Sequence, residues 1–123
     1  MQLSHREFQD LVRRAYNELP GEIMTSIENV AILVEDWPSP EDLEDGGIDR
    51  REQLFGLYKG VPLPERGDFL PLLPDSITLF KRPIELVCGT WEDVVREVRT
   101  TLLHEVGHYM GFDEEDLEEM GYG

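Results

Sequence analysis

The 123-residue sequence predicts an α+β fold with one small sheet. An amphipathic helical pattern comes first, three short runs typical of strands follow, and a long helical pattern with a short helix behind it comes last. A chain of this length has the size of one domain and buries roughly two-thirds of its unfolded surface, which is enough for a real core. We therefore expect a single domain over residues 1–123.

The first helix is predicted between Ser4 and Leu19. Ser4 and Glu7 have the spacing of a capping box, and apolar residues then recur at helical intervals. Pro20 and Gly21 end this pattern.

The three predicted strands cover residues 29–35, 54–58 and 77–80. The first run is rich in β-branched residues, and the second contains a glycine and ends close to Gly60 and Pro62, which favours the edge of a sheet. Residues 35–52 hold eight acidic residues with two prolines and two glycines, which predicts a solvated loop. Five prolines between 62 and 83 predict that most of that stretch is also loop.

The long helix is predicted from Trp91 to Met110. Thr90 and Asp93 have capping-box spacing at its start, and Gly111 is placed to end it in a left-handed conformation. Asp113 then caps a final short helix.

The charge excludes two classes of partner. Eleven Lys and Arg oppose 27 Asp and Glu, giving a net charge of −16, so the chain lacks a basic footprint for nucleic acid, and an anionic membrane would repel it. The longest aliphatic run, residues 30–34, is far too short to cross a bilayer. No signal peptide is recognisable, and a lone cysteine indicates a reducing compartment. We therefore expect a cytoplasmic protein.

One motif carries chemistry, the H-E-x-x-H sequence from His104 to His108. Histidines four residues apart on a helix project from one face, so both imidazoles can bind one zinc ion. Glu105 lies beside the first ligand and can take a proton from a zinc-bound water. The helix supports this interpretation, because the histidines lie just outside one continuous apolar arc formed by Trp91, Val94, Val95, Val98, Leu102, Val106 and Tyr109.

A catalytic zinc site normally has three protein ligands, and the third is expected to be a carboxylate. In the extended zincin pattern H-E-x-x-H-x-x-G-x-x-H, the last histidine corresponds to Glu114, which makes Glu114 the first choice. Asp113 is a better helix cap than ligand, while Asp116 and Glu118 stay open as ligands if the last helix folds back over the metal.

Two further residues are candidates of lower rank. His5 lies in the first turn of the first helix and is expected at the surface. Cys88 could serve as an upstream cysteine ligand, as in peptide deformylases, but its setting before a helix cap favours a small buried residue.

Several segments resemble the minimal zincin-like metallopeptidase family, a group of small bacterial proteins. The resemblance is carried by Val98–Gly111, which contains the motif, and by residues 29–36, 56–63 and 77–84 in the same order. It implies a small mixed sheet packed on an active-site helix, with an N-terminal helix and a short C-terminal one. It also implies metal ligands at His104 and His108, a general base at Glu105 and an acidic third ligand at Glu114.

Together these observations predict a zinc-dependent metallopeptidase that hydrolyses peptide bonds through a zinc-activated water, with a peptide or protein as substrate. The edge strand around residues 54–58 could bind an extended peptide by strand addition, and Glu97, on the histidine stripe, could orient a ligand imidazole. The acidic surface favours basic or neutral substrates. A deformylase-like zinc amidohydrolase and a non-catalytic zinc-stabilised interaction module stay open, as do manganese, iron or cobalt in place of zinc. The oligomeric state is not predicted.

Overall fold

The computed structural model describes residues 1–65 and 75–119 of the chain. It contains a three-stranded sheet, and helices come before, between and after the strands in the sequence. Two short 3₁₀ turns, Arg51–Gln53 and Leu63–Glu65, connect elements. The helices and strands are α1 (His5–Asn17), α2 (Gly21–Ser26), β1 (Ala31–Glu35), α3 (Pro40–Gly46), β2 (Gly56–Lys59), β3 (Ser76–Phe80), α4 (Lys81–Val87), α5 (Trp91–Tyr109) and α6 (Glu114–Glu119).

The sheet is mixed, with strand order β1-β3-β2. β1 pairs with β3 in parallel, from Ala31 opposite Ser76 onward, and β2 pairs with β3 antiparallel. The α+β class and the mixed sheet are therefore confirmed, and β2 lies at an edge of the sheet as its glycine indicated.

The main core lies between one face of the sheet and the helices α1 and α5. Phe8, Ile77, Leu79, Val98 and Leu102 are all fully buried there, as expected for apolar stripes that face a sheet. The predicted arc of α5 is buried apart from its first member. Trp91, the first residue of the helix, is 56% exposed.

The predicted acidic loop contains a helix, so that prediction was wrong for Pro40–Gly46. Ser39 caps α3 and forms a capping box with Asp42, and Gly47 ends it with a left-handed φ of 66°. Proline in the first turn and glycine after the last are typical bounds of a short helix. The prolines and glycines of this segment were interpreted only as signs of a loop, so the helix between them was not predicted.

The prediction of loop through residue 83 was also wrong, since α4 follows β3 directly at Lys81. Pro83 is in the first turn of α4, where a missing N–H group costs nothing. The helix also buries an ion pair, with Lys81 Nζ 3.0 Å from Glu85 Oε1 and both side chains 7% exposed or less. The Leu3 N–H group donates to the other oxygen of Glu85, so this carboxylate also holds the start of the chain.

Both ends of α5 have the predicted caps. Thr90 and Asp93 form the capping box at its start. At its end Gly111 has a φ of 93°, and the Phe112 N–H group donates to the Gly107 carbonyl at 2.9 Å, which is the Schellman arrangement. This turn ends α5 immediately after the H-E-x-x-H motif. In the described ranges, no helix is both long and apolar enough to cross a membrane.

Candidate metal centre

The motif occupies the last turns of α5, where one side of the helix faces the core and the other borders a groove. Val106 and Tyr109 are buried in the core, whereas His104 and His108 are half-buried. The two imidazole rings lie side by side, with centroids 4.8 Å apart. This follows from the four-residue spacing, because positions i and i+4 lie one above the other on a helix.

Glu105 lies between the histidines and is 5% exposed. Its Oε1 atom is 3.6 Å from His108 Nδ1, and its Oε2 atom is 3.9 Å from His104 Nε2. Oε1 also accepts a hydrogen bond of 2.8 Å from the Tyr58 backbone N–H group. The carboxylate is therefore held in a fixed position by a strand that is 47 residues away in the sequence.

The close packing of β2 on α5 makes that hydrogen bond possible. The Phe80 N–H group donates to the Phe55 carbonyl, so the alternating antiparallel pattern directs the N–H groups of Gly56 and Tyr58 away from β3. At Gly56 the strand comes so close to the helix that an added Cβ would lie 2.5 Å from Thr101 Cγ2. Glycine is thus required for β2 to reach Glu105.

Strand addition along residues 54–58 stays a prediction, and this packing limits it at one position. The outward N–H group of Tyr58 already donates to Glu105, so it is not available to pair with an added peptide strand in this structure.

No sequence signal indicated the part that Tyr58 plays, because the contact uses a backbone N–H group that every residue except proline carries. The Tyr58 side chain anchors the same strand: its hydroxyl group donates to Asp75 Oδ1 at 2.9 Å, and its ring packs edge-on against Tyr109 at 5.7 Å. Asp75 is 4% exposed.

The donor atoms of His104, Glu105 and His108 fit a metal ion. One donor atom from each residue lies within 4.8 Å of the other two. Zinc ligands lie about 2.0–2.1 Å from the ion, so donor atoms this close together can share one ion. Two imidazoles with a neighbouring carboxylate are also the donor chemistry that zinc prefers.

The acidic residues behind the Schellman turn were the candidates for a third ligand. Asp113 and Asp116 cap α6: the Asp116 N–H group donates to Asp113 Oδ1 at 2.8 Å, and the Asp113 N–H group donates to Asp116 Oδ2 at 3.2 Å. Both are exposed, as is Glu118, and none of the three belongs to the His-Glu-His group. Glu114 is the first residue of α6, and its side chain lies outside the described residues.

The two lower-ranked candidates lie elsewhere. His5 is exposed at the start of α1, where its ring contacts Gln9. Cys88 is buried in the main core, and burial raises the pKa of its thiol to about 11. A protonated core thiol is a poor metal ligand, which agrees with its prediction as a small buried residue.

A groove of about 510 Å³ runs over the histidines and along the polar stripe of α5. One wall is α5 itself, and the other is the chain from the end of α3 to β2. The lining residues are Gly46, Gly47, Ile48, Gln53, Leu54, Phe55, Gly56, Leu57, Glu97, Thr100, Thr101, His104, Glu105 and His108.

Comparison with known proteins places this arrangement in a family. The sequence model described as zincin-like metallopeptidase matches residues 27–123, which include the sheet, the groove and the motif. A solved structure, a conserved hypothetical protein from Thermo thermophilus, is 28% identical over 96% of this chain and 97% of its own, with a TM-score of 0.53. No curated protein matches. Because the family match spans most of the chain, this protein belongs to the zincin-like metallopeptidase family.

Proposed function

We propose that this protein is a zinc-dependent peptidase in which His104, His108 and Glu114 hold the metal and Glu105 is the general base. The observation that supports a catalytic site most directly is the position of Glu105. Its carboxylate is buried between the two imidazoles and fixed by the Tyr58 N–H group at 2.8 Å. A purely structural metal site needs ligands but no such base.

The assignment of Glu114 rests on its place in the chain. It follows the Schellman turn that ends α5 just after the motif. Its neighbours Asp113 and Asp116 are engaged in capping α6, and Glu114 is the acid that stands at the third-ligand position of the extended motif.

A zinc ion held there would supply a Lewis acid that polarises a peptide carbonyl group and lowers the pKa of a water molecule to about 7. Glu105 would be placed to accept a proton from that water and to return it to the leaving amine. The groove beside the motif holds the peptide on either side of the scissile bond.

The test compares the wild type with Glu105→Gln, since glutamine keeps an oxygen that can accept the Tyr58 hydrogen bond but cannot take a proton. Both proteins, loaded with zinc, are incubated with a mixture of unmodified peptides, and new termini are identified by mass spectrometry. We expect the cleavage rate to fall by about 10²- to 10⁴-fold in Glu105→Gln, with equal zinc content and an unchanged circular dichroism spectrum.

Glu28→Gln is the matched control, because Glu28 is exposed, is not among the residues that line the groove, and loses the same charge on substitution. Equal cleavage by the wild type and Glu105→Gln would refute the mechanism. Release of formate from formyl-peptides without cleavage of peptide bonds would favour the deformylase-like alternative. Zinc binding with no hydrolysis of either kind would favour a zinc-stabilised interaction module.

A further inference from the structure

The groove continues beyond the metal centre, and its far end contains a carboxylate that the proposed mechanism does not use. Glu97 lines the groove together with Gln53 and Leu54. It lies seven residues before His104 on the same helix, which is about 10.5 Å along the helix axis. Glu97 therefore borders the substrate path without being part of the metal centre.

The packing of β2 on α5 fixes where this end of the groove lies. Gly56 contacts Thr101, and Tyr58 contacts Glu105, so two residues along the strand correspond to one turn of the helix. The two advances are similar, at about 6.6 Å for two strand residues and about 6 Å for four helix residues. Two residues before Gly56 and four residues before Thr101 are Leu54 and Glu97, and both of these residues line the groove.

The distance between Glu97 and His104 determines which residue of a bound peptide lies next to Glu97. An extended peptide advances about 3.3 Å per residue. A span of about 10.5 Å therefore corresponds to about three residues along a peptide that lies in the groove. Glu97 faces a substrate side chain near that position rather than the scissile bond itself.

Glu97 has no hydrogen bond to an imidazole, so the expectation that it orients a metal ligand is not met within the described residues. Its carboxylate is half-buried, and burial is the cause that raises its pKa above the ordinary 4.5. The neighbouring arginines are engaged elsewhere, Arg96 with Asp93 at 3.6 Å and Arg99 with Glu18 at 3.9 Å. Within residues 1–65 and 75–119, no cationic side chain forms an ion pair with Glu97.

A half-buried carboxylate without a cationic neighbour is suited to bind a cationic group of a ligand. Guanidinium and ammonium groups form charge-assisted hydrogen bonds with carboxylates, and these strengthen where water is partly excluded. Phe55, which lines the same groove and is partly exposed, offers apolar surface for the methylene stem of a long basic side chain. The net charge of −16 also attracts basic peptides from a distance.

We propose that Glu97 is a specificity-determining residue that selects substrates with an arginine or lysine side chain about three residues from the scissile bond. The inference that Glu97 selects substrates rests on the proposed peptidase function. The binding of a basic side chain in the groove is a separate property of the chain. The two are therefore tested in separate arms.

The binding arm uses two acetylated and amidated hexa-alanine peptides, one with a single arginine and one with a single citrulline at the same position. Citrulline has nearly the shape of arginine but no charge. The peptides are titrated into ¹⁵N-labelled, zinc-loaded Glu105→Gln protein, so that they stay intact, and the dissociation constants are measured by NMR. The same titrations are made with Glu97→Gln and with the matched control Glu28→Gln added to this background.

We expect the arginine peptide to bind roughly fivefold to tenfold more tightly than the citrulline peptide. This ratio should fall to near one with Glu97→Gln and stay unchanged with Glu28→Gln, and the shifted amide signals should include those of groove residues. Equal affinity for the two peptides, no binding of either, or a ratio that Glu97→Gln leaves unchanged would each overturn the inference.

The cleavage arm applies zinc-loaded wild type and Glu97→Gln to the same peptide mixture. We expect cleavage sites of the wild type to be enriched in arginine and lysine near the third residue, and Glu97→Gln to lose this enrichment while still cleaving neutral sequences. Cleavage without that enrichment overturns the inference and leaves the peptidase function standing. Absence of cleavage together with arginine-selective binding overturns the peptidase function and supports the basic-side-chain site.

Discussion

The contact between Gly56 and Thr101 joins the sheet to the motif helix, and Gly56→Ala tests it. A Cβ at this position would lie 2.5 Å from Thr101 Cγ2, 3.2 Å from the Thr78 carbonyl oxygen and 3.5 Å from Leu79 Cδ2. The φ of Gly56 is outside the left-handed region, so the cost arises from lack of space alone. Overpacking of this kind destabilises proteins by about 1–3 kcal/mol, and we expect a loss in that range.

A second substitution identifies which contact is responsible. Thr101→Ser removes the methyl group that the new Cβ would meet, and by itself it should cost about 0.8 kcal/mol for one buried carbon. In the Thr101→Ser background we expect Gly56→Ala to cost about 1 kcal/mol less than in the wild type. The remaining cost reflects the backbone oxygen of Thr78, which cannot give way as a side chain does.

The assay is urea unfolding of the wild type, the two single variants and the double variant, analysed as a double-mutant cycle. Additive losses for the two substitutions would refute the reasoning, because they would mean that the strand and the helix do not meet at this point. Full stability of Gly56→Ala would refute it equally.

Three further predictions concern buried charge, pH and the thiol. Glu85→Gln leaves the Lys81 ammonium group buried without its carboxylate and should cost about 3–5 kcal/mol in urea unfolding; adding Lys81→Met should recover most of this loss, and no recovery would contradict the ion-pair explanation. Burial opposes ionisation of Asp42, but the hydrogen bond from Lys59 helps to outweigh it and lowers the pKa of Asp42 below 3.8. A carboxyl group whose pKa is lowered by folding stabilises the folded state at pH values above its unfolded pKa, and this stabilisation is lost as pH falls through its folded pKa. The difference in unfolding free energy between the wild type and Asp42→Asn should therefore shrink below about pH 4. A difference that stays constant over this pH range would contradict the prediction. Because burial raises the pKa of Cys88 to about 11, a thiol-specific disulfide reagent at about pH 8 should label it slowly until urea unfolds the chain, and rapid labelling of the folded protein would contradict its burial.

The parts of the fold that could be predicted from sequence are those whose signals lie close together along the chain. The caps of α5 at Thr90 and Gly111 are set by residues within four positions of each helix end. The side-by-side histidines follow from a spacing of four. Local geometry determines these features, so periodicity and capping rules were sufficient to predict them.

The helices α3 and α4 were missed for a related reason. Both are seven residues long, too short to show helical periodicity clearly, and both contain a proline that suggests a loop. In α3 the informative signals were Ser39 before the helix and Gly47 after it. In α4 Lys81 and Glu85 have the i,i+4 spacing of a helical ion pair, but the burial of this pair is a tertiary feature that the sequence pattern does not display.

The environment of the motif could not be predicted, because it depends on contacts between distant segments. The hydrogen bond that fixes Glu105 comes from a backbone N–H group, and the identity of residue 58 carries no information about it. The setting of Glu97 in a groove depends on the wall that residues 46–54 build opposite it. The sequence predicted which residues come together at the motif, and packing determined the position of the Glu105 carboxylate and the shape of the groove.

The measurement that tests the central claim most directly is the metal content of untagged protein, determined by elemental mass spectrometry after zinc is supplied and the excess removed by dialysis. The account predicts about one zinc ion per chain in the wild type, loss of zinc in His108→Ala, and weaker retention in Glu114→Ala. Asp116→Ala, which removes a neighbouring acid that caps α6, should keep its zinc. A wild type that retains no metal, or a His108→Ala variant that retains as much zinc as the wild type, would contradict the account.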